Sequence, residues 1–391
     1  MHDPSAAREH SWAGLLLAGA LLAGCAGTAP EPDAKADRLP VTLEIELQRA
    51  EDDIGAGKPS AVPAIIQLVR FAMSMGRADE STRFAERALA SIERGAGADS
   101  VPAANVLSMI GELQTQSGDM SAAARTLDRA AGIIARFGES ADPFTRAQVH
   151  DALGHWNESS RRLDEAARHY SASIALREKN EGSDHPGTAI ALESLSGVEL
   201  RRGRLDAAEG HLRRALAIRE RRLGSTSQHL VATLQSLATV ETGRNRLDMA
   251  ELYLLRALAI QERAEGPRSA VVADILAALG GIEGRRFNYE RAESLLVRAF
   301  RIQRQLLPRQ SPALATTLAS LGILHLDQAQ YLEAEPFLSE ALAIREAVLP
   351  PDHPALGQSL RDLAELLRAT GRESAALALD RRARAAARTD L

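Results

Sequence analysis

Cysteine is nearly absent: Cys25 is the only one in 391 residues, which excludes an intramolecular disulfide and any cysteine-based metal cluster. Aromatic residues make up 3%, lysine occurs only at Lys35, Lys58 and Lys179, and the formal net charge is −5. A chain with neither a basic stripe nor stacking platforms offers nucleic acid nothing to hold, so no nucleic-acid partner is inferred. Catalytic signatures are missing as well. There is no HExxH, GxxxxGK[ST] or GxSxG, and no GxGxxG following a strand. The ten histidines are scattered, and His150 and His155, five apart, do not share a helical face. The carboxylate pairs Asp52-Asp53 and Glu31/Asp33 fall in segments that read as solvated. The sequence therefore implies no catalytic residue, metal ligand, cofactor or small-molecule substrate, and the chain reads as non-enzymatic.

What is present favours helix. Ala, Leu, Arg and Glu dominate, and these residues lose little rotamer freedom in a helix, so an all-α chain is expected. At the N-terminus, Trp12 to Gly24 (WAGLLLAGALLAG) is an apolar run long enough for a signal-peptide core and too short to span a bilayer. It ends in Leu22-Ala23-Gly24-Cys25, which resembles the bacterial lipobox. That resemblance implies cleavage before Cys25, lipidation of its thiol and, with Ala26 rather than Asp following, an outer-membrane, periplasm-facing lipoprotein. The competing reading of the run is a buried apolar first helix with an incidental thiol in a cytoplasmic protein. Residues 1–24 are thus expected to be a signal peptide and 25–40 a lipidated tether, since AGTAPEPDAKADRLP (26–40) has almost nothing apolar to bury. Residues 41–57 form a short amphipathic helix and cap, and 58–391 the main array.

That array is visible as self-similarity. At steps of 42, Leu195, Leu237, Leu279, Leu321 and Leu363 form one column, followed by the small residues Ser196, Ala238, Gly280, Gly322 and Ala364. Ala208, Ala250, Ala292, Ala334 and Ala376 form another column, and Ala215, Ala257, Ala299, Ala341 and Ala383 a third. Leu153, Ala166 and Ser173 extend the register backwards, as do Ile110, Ala123 and Ala130, then Ser81 and Ala88. Anchors at 88, 130, 173, 215, 257, 299, 341 and 383 predict about eight units. Within a unit, apolar spacings of i, i+3, i+4 and i+7 predict two amphipathic helices, and the small columns let them approach closely. Asp184-His185-Pro186, Ser311-Pro312 and Asp352-His353-Pro354 place a polar cap beside a proline that suits a first helical turn.

The Leu192/Leu195/Ser196 and Ala208/Leu212/Ala215 columns, the His-Pro starts and the endings ALAIRE (215–220), ALAIQE (257–262) and ALAIRE (341–346) resemble the tetratricopeptide repeat. The likeness is to the 42-residue variety of kinesin light chains and covers roughly residues 58 to 388. It implies a right-handed superhelical solenoid whose first helices line a concave groove for protein or peptide partners. The face opposite the leucine column supplies the candidate groove residues Glu193, Gly197 and Leu200; Gln235, Thr239 and Thr242; Ala277, Gly281 and Gly284; Ala319, Ile323 and Leu326; and Arg361, Glu365 and Arg368. The chain departs from the kinesin-light-chain pattern where paired asparagines would clamp a peptide backbone. Glu193-Ser194, Gln235-Ser236, Ala277-Ala278, Ala319-Ser320 and Arg361-Asp362 stand there instead.

Two local features stand apart. Glu199 with Arg202, Glu241 with Arg244, and Glu283 with Arg286 repeat at i,i+3, which reads first as ion pairing on a solvated helix face, worth about 0.3 kcal/mol each, and alternatively as a charged ladder for a partner. Gly280, Gly281 and Gly284 fall inside one first helix. Gly280 belongs to the small column, while Gly281 and Gly284 read either as tolerated drift or as an opening in the groove floor. The expected protein is a lipid-anchored adaptor that docks envelope proteins, with a cytoplasmic adaptor whose N-terminus is unprocessed as the alternative.

Overall fold

In the computed structural model the described residues are 41–56, 58, 61–74, 78–351 and 353–388. The expected signal peptide, lipidation site Cys25 and tether lie outside them. Among the described residues there are seventeen α-helices and no strand. In order they are α1 (Val41–Gly55), α2 (Ala61–Ser74), α3 (Ala78–Ala96), α4 (Val101–Gln116), α5 (Met120–Phe137), α6 (Pro143–Ser159), α7 (Leu163–Glu181), α8 (Pro186–Arg201), α9 (Leu205–Leu223), α10 (Val231–Gly243), α11 (Leu247–Glu265), α12 (Ala270–Arg285), α13 (Tyr289–Leu306), α14 (Pro312–Asp327), α15 (Tyr331–Val348), α16 (Pro354–Ala369) and α17 (Glu373–Arg388). After α1, consecutive helices pair as eight hairpins, so each unit is an all-α stack of repeats. The chain divides into two compact units, one of residues 31–222 and one containing residues 223–391.

The periodic columns are the packing contacts. Ala88, Ala130, Ser173, Ala215, Ala257, Ala299 and Ala341 are fully buried, and Ala383 nearly so. The small column explains how each pair of helices comes together. A Cβ added at Gly280 would lie 2.6 Å from Leu296 Cγ and 3.3 Å from the Ala292 carbonyl, and one at Gly322 would lie 2.6 Å from Leu338. A small residue on the first helix thus receives the large residue of the second, and the two backbones close on each other.

Of the three proline-adjacent starts read from the sequence, two are capped as expected. His185 Nδ1 accepts from the Gly187 N–H at 3.1 Å and His353 Nδ1 from the Ala355 N–H at 3.2 Å, so both imidazoles act as N-caps. The Ser311 hydroxyl makes no cap bond, although its carbonyl accepts from the Ala315 N–H at 3.1 Å.

In six of the eight hairpins the turn is the same device repeated. After α8, the Gly203 N–H bonds Leu200 O and the Arg204 N–H bonds Glu199 O, the paired bonds of a Schellman motif. The same pair recurs after α6, α10, α12, α14 and α16. The motif needs one left-handed residue, and glycine fills it at Gly203 (φ 71) and Gly371 (φ 77). Arg161, Asn245, Phe287 and Ala329 take the same conformation at φ 56 to 61, which costs a residue with a Cβ about 1 kcal/mol. Ala329→Gly is accordingly expected to stabilise the chain by about 1 kcal/mol, raising the thermal midpoint by roughly 2–4 °C. An unchanged or lowered midpoint in a differential-scanning measurement would show that this turn carries no strain.

Candidate functional site

In the unit of residues 31–222, the candidate residues of α8 are accessible. Glu193, Gly197 and Leu200 are each partly exposed. In the unit of residues 223–391 the outcome varies by hairpin. Gln235 and Thr239 on α10 are partly exposed, with Thr239 Oγ1 donating to Gln235 O at 3.0 Å, while Thr242 is buried and donates to Ala238 O at 2.8 Å. On α12, Ala277 is partly buried and Gly281 and Gly284 fully so. Contrary to expectation, Ala319, Ile323 and Leu326 on α14 belong to the hydrophobic core and have little surface to offer. The reason is lateral. The first helix α12 packs against α14 and α14 against α16, and Ala277 of α12 lies against the core cluster that holds Ala319, Ile323 and Leu326. At α16, Arg361 and Arg368 are exposed and Glu365 is partly so; Arg361 donates to Gln358 at 2.7 Å and Arg368 to Asp380 at 2.7 Å.

The glutamate column is not a solvated ladder. Glu199 is 6% exposed and Glu241 and Glu283 are fully buried. Each sits on the last turn of a first helix, at the residue whose carbonyl closes the Schellman motif, and is covered by the helix that follows. Its side chain bridges the same span as the backbone bond. Glu283 Oε2 accepts from Asn288 Nδ2 at 2.8 Å, Glu241 lies 3.5 Å from Arg246 and Glu199 3.7 Å from Arg204. His325 and Gln330 repeat the pairing at 2.6 Å. A polar clasp therefore stands where such motifs usually carry a hydrophobic contact. The solvated ladder lies elsewhere, between successive second helices: Arg129–Glu93 at 2.7 Å, Arg298–Glu262 at 2.6 Å, and the pairs Arg214–Glu178 and Arg382–Glu346.

A second set of residues escapes a reading confined to the first helices. In the fifth place of the ALAIRE-type endings, Arg177, Arg219, Gln261, Gln303 and Arg345 recur every 42 residues on the second helices. Their side chains reach the first helices or, at Gln261, the turn of 228–230 that leads into one. Arg177 Nη2 donates to Asp151 Oδ2 at 2.6 Å, and Arg219 pairs with Glu193. Gln261 accepts from Gln228 at 3.3 Å, and Gln303 donates to Asp274 at 3.1 Å. Arg345, completely buried, donates to Ser359 Oγ at 2.6 Å, Ala355 O at 3.2 Å and Thr316 Oγ1 at 3.4 Å. It therefore lies between the first helices of consecutive hairpins. The signal was in the sequence, in the constant phase of a long polar residue after an apolar one.

Burial dominates the electrostatics of this seam. It pushes the Asp274 carboxyl up to about 6 and lowers the Arg345 guanidinium to about 10, with Asp362 acting in the opposite direction on the latter. Burial likewise raises the Asp151 carboxyl against the pull of Arg177. In the α6/α7 hairpin, His150 and His169 meet Nδ1 to Nδ1 at 3.0 Å. Desolvation lowers both, His150 to about 4, with His169 and Arg146 adding to the effect on His150. Neighbouring cations make this pair a poor seat for a metal. Among the described residues no group of three or more His, Cys, Asp or Glu could hold a metal ion, and no helix is long and apolar enough to cross a membrane.

A family model described as "Tetratricopeptide repeat" matches residues 145–221, 229–305 and 313–389. No curated protein matches the chain. Among solved structures, the apo form of RapI is similar with a TM-score of 0.59 at 14% identity, covering 73% of this chain and 97% of RapI. A Rap protein complexed with competence and sporulation factor gives 0.54 at 14% identity, covering 89% of this chain and 98% of the Rap chain. BtubC (BKLC) from P. vanneervenii gives 0.47 at 20% identity, covering 67% and 91% respectively. At these identities the Rap likenesses bear on the fold.

Proposed function

The chain belongs to the tetratricopeptide repeat family, and from that premise we propose that it is a non-enzymatic protein-interaction scaffold, lipid-anchored through Cys25 at the bacterial outer membrane, that docks periplasmic partners on its first-helix faces. Scaffolding itself rests on the family and on one observation: the alanine and leucine columns are constant, while the first-helix face between them changes chemistry from hairpin to hairpin. A constant frame with a variable face suits selection of a partner better than chemistry on a substrate. A Rap protein of the same fold class is known complexed with a factor, which supports docking as a use of such faces. The anchor rests on Leu22-Ala23-Gly24-Cys25 after an apolar run. Tethering confines the scaffold to a thin layer and raises its effective concentration there, so a modest affinity suffices.

Fractionation and crosslinking test the two parts separately. The wild-type chain is expected in the membrane fraction, and Cys25→Ser in the soluble fraction. A photo-crosslinking residue at Gly197 or Thr239, both partly exposed on first helices, is expected to capture a partner that one at Arg298, on the second-helix ladder, does not. Identical fractionation of wild type and Cys25→Ser overturns the anchor in favour of the cytoplasmic reading. Equal capture from all three positions, or none, overturns the docking face.

A further inference from the structure

The polar seam on the second helices is closed by an ion pair in the α6/α7 and α8/α9 hairpins and left open in the α12/α13 hairpin, and the gap has a definite chemistry. In the unit of residues 31–222, Arg177 meets the carboxylate of Asp151 and Arg219 that of Glu193, each supplied by the first helix of its own hairpin. A guanidinium faces a carboxylate in both. In the α12/α13 hairpin of the other unit the carboxylate is present and the guanidinium is missing. Gln303 occupies the arginine's place, and Asp274 projects from α12 one turn before Ala277, the counterpart of Asp151 and Glu193.

What Gln303 offers Asp274 is a single neutral hydrogen bond, Nε2 to Oδ1 at 3.1 Å. Asp274 is partly exposed, and among the described residues no cation acts on its carboxylate. Gln303 is 1% exposed, and its Oε1 has no hydrogen-bond partner. A buried acceptor left unsatisfied beside an uncompensated carboxylate is costly, and one multi-donor cation relieves both. A carboxylate and an amide oxygen carried by one hydrogen-bonded pair of side chains suit the planar fork of a guanidinium better than a compact ammonium. The same hairpin geometry already holds arginines at Arg177 and Arg219.

We propose that Asp274 and Gln303 form a receptor for an arginine side chain of a partner polypeptide docked on the first helices of the unit containing residues 223–391. The partner's guanidinium would take the place that Arg177 and Arg219 fill from within the chain. This deepens the scaffold reading and rests on it, and it assigns one specificity position on an otherwise variable face.

The test uses the full-length chain and a fluorescein-labelled nona-arginine peptide, followed by fluorescence anisotropy at about 150 mM salt, where the screening length of roughly 8 Å suppresses attraction by the acidic chain at large. Asp274→Asn is expected to weaken binding by roughly tenfold or more, in keeping with loss of a partly buried charge pair. Gln303→Arg supplies the guanidinium internally, and is expected to weaken binding as strongly while raising the thermal midpoint. Should that variant fail to fold, Gln303→Leu, which removes the second acceptor and leaves Asp274, is expected to weaken binding as well. Equal affinity of wild type, Asp274→Asn and the folded Gln303 variant overturns the receptor, as does failure of nona-arginine to bind wild type. If crosslinking at Thr239 still captures its partner in that case, the scaffold reading stands and only the arginine assignment falls.

Discussion

Replacing Arg345 by alanine is expected to lower stability by about 3–4 kcal/mol, whereas Arg345→Met, which keeps the volume but leaves the buried Asp362 without its cation, is expected to cost about 1–2 kcal/mol less. The contrast follows from what the side chain does. Arg345 heads the largest fully buried side chains of the described residues and bonds to α14 and α16 at once. Truncation leaves a void at the junction of two hairpins. The charge itself is a burden: desolvation outweighs the attraction of Asp362, which is why the guanidinium is lowered. A neutral side chain of similar volume keeps the packing and sheds that burden. Because each hairpin of a repeat array is held mainly by its neighbours, the damage should be local. Amide exchange in α16 and α17 is expected to accelerate in Arg345→Ala well before that in α12. Equal destabilisation by alanine and methionine would mean that the charge, not the volume, holds the junction.

The second large effect concerns the clasp at the end of α12. Glu283→Ala is expected to destabilise by about 2–4 kcal/mol, since it removes a fully buried carboxylate that serves several donors. Arg286 and Arg291 each lie 3.2 Å from it, and Asn288 donates at 2.8 Å. Both arginines keep Glu251, at 2.6 and 2.8 Å, which holds the loss below that of an isolated buried pair. Glu262→Ala, on the exposed ladder, provides the control and should cost under about 0.5 kcal/mol. Added salt should leave the Glu283 effect nearly unchanged and erase the Glu262 effect, because only the exposed pair is screened. Chemical denaturation of the two variants at low and high salt decides it, and equal losses would place Glu283 functionally at the surface.

These two residues also show where the sequence was legible. The hairpins could be read because alanine and leucine columns report packing directly: a small residue in strict phase has few roles besides letting backbones meet. The glutamate column could be seen but not placed, since an i,i+3 Glu–Arg spacing is identical whether the pair faces solvent or closes a turn. Burial depends on the next helix, which spacing within one helix does not describe. For the same reason Ala319, Ile323 and Leu326 were expected on an open face. Helical geometry within one helix says nothing of the neighbour that covers a face, and the side-by-side packing of α12, α14 and α16 is a tertiary fact. The left-handed residues at Arg161, Asn245, Phe287 and Ala329 gave no glycine signal at all. Arg345 was in plain view within ALAIRE, and its isolation appears only once Ala319 is seen where Asp151 and Glu193 stand in other hairpins.

The turn closing each hairpin has a consequence for heredity. In the α8/α9, α10/α11, α12/α13 and α14/α15 hairpins its two backbone bonds, its left-handed residue and its polar clasp all come from six consecutive residues, so none is borrowed from a neighbouring repeat. A stretch of 42 residues copied or lost in register brings or removes a finished turn together with its own fastening. The array can therefore change length by recombination in whole hairpins, with nothing to be reinvented at the turns, and selection is left to act on the first-helix faces.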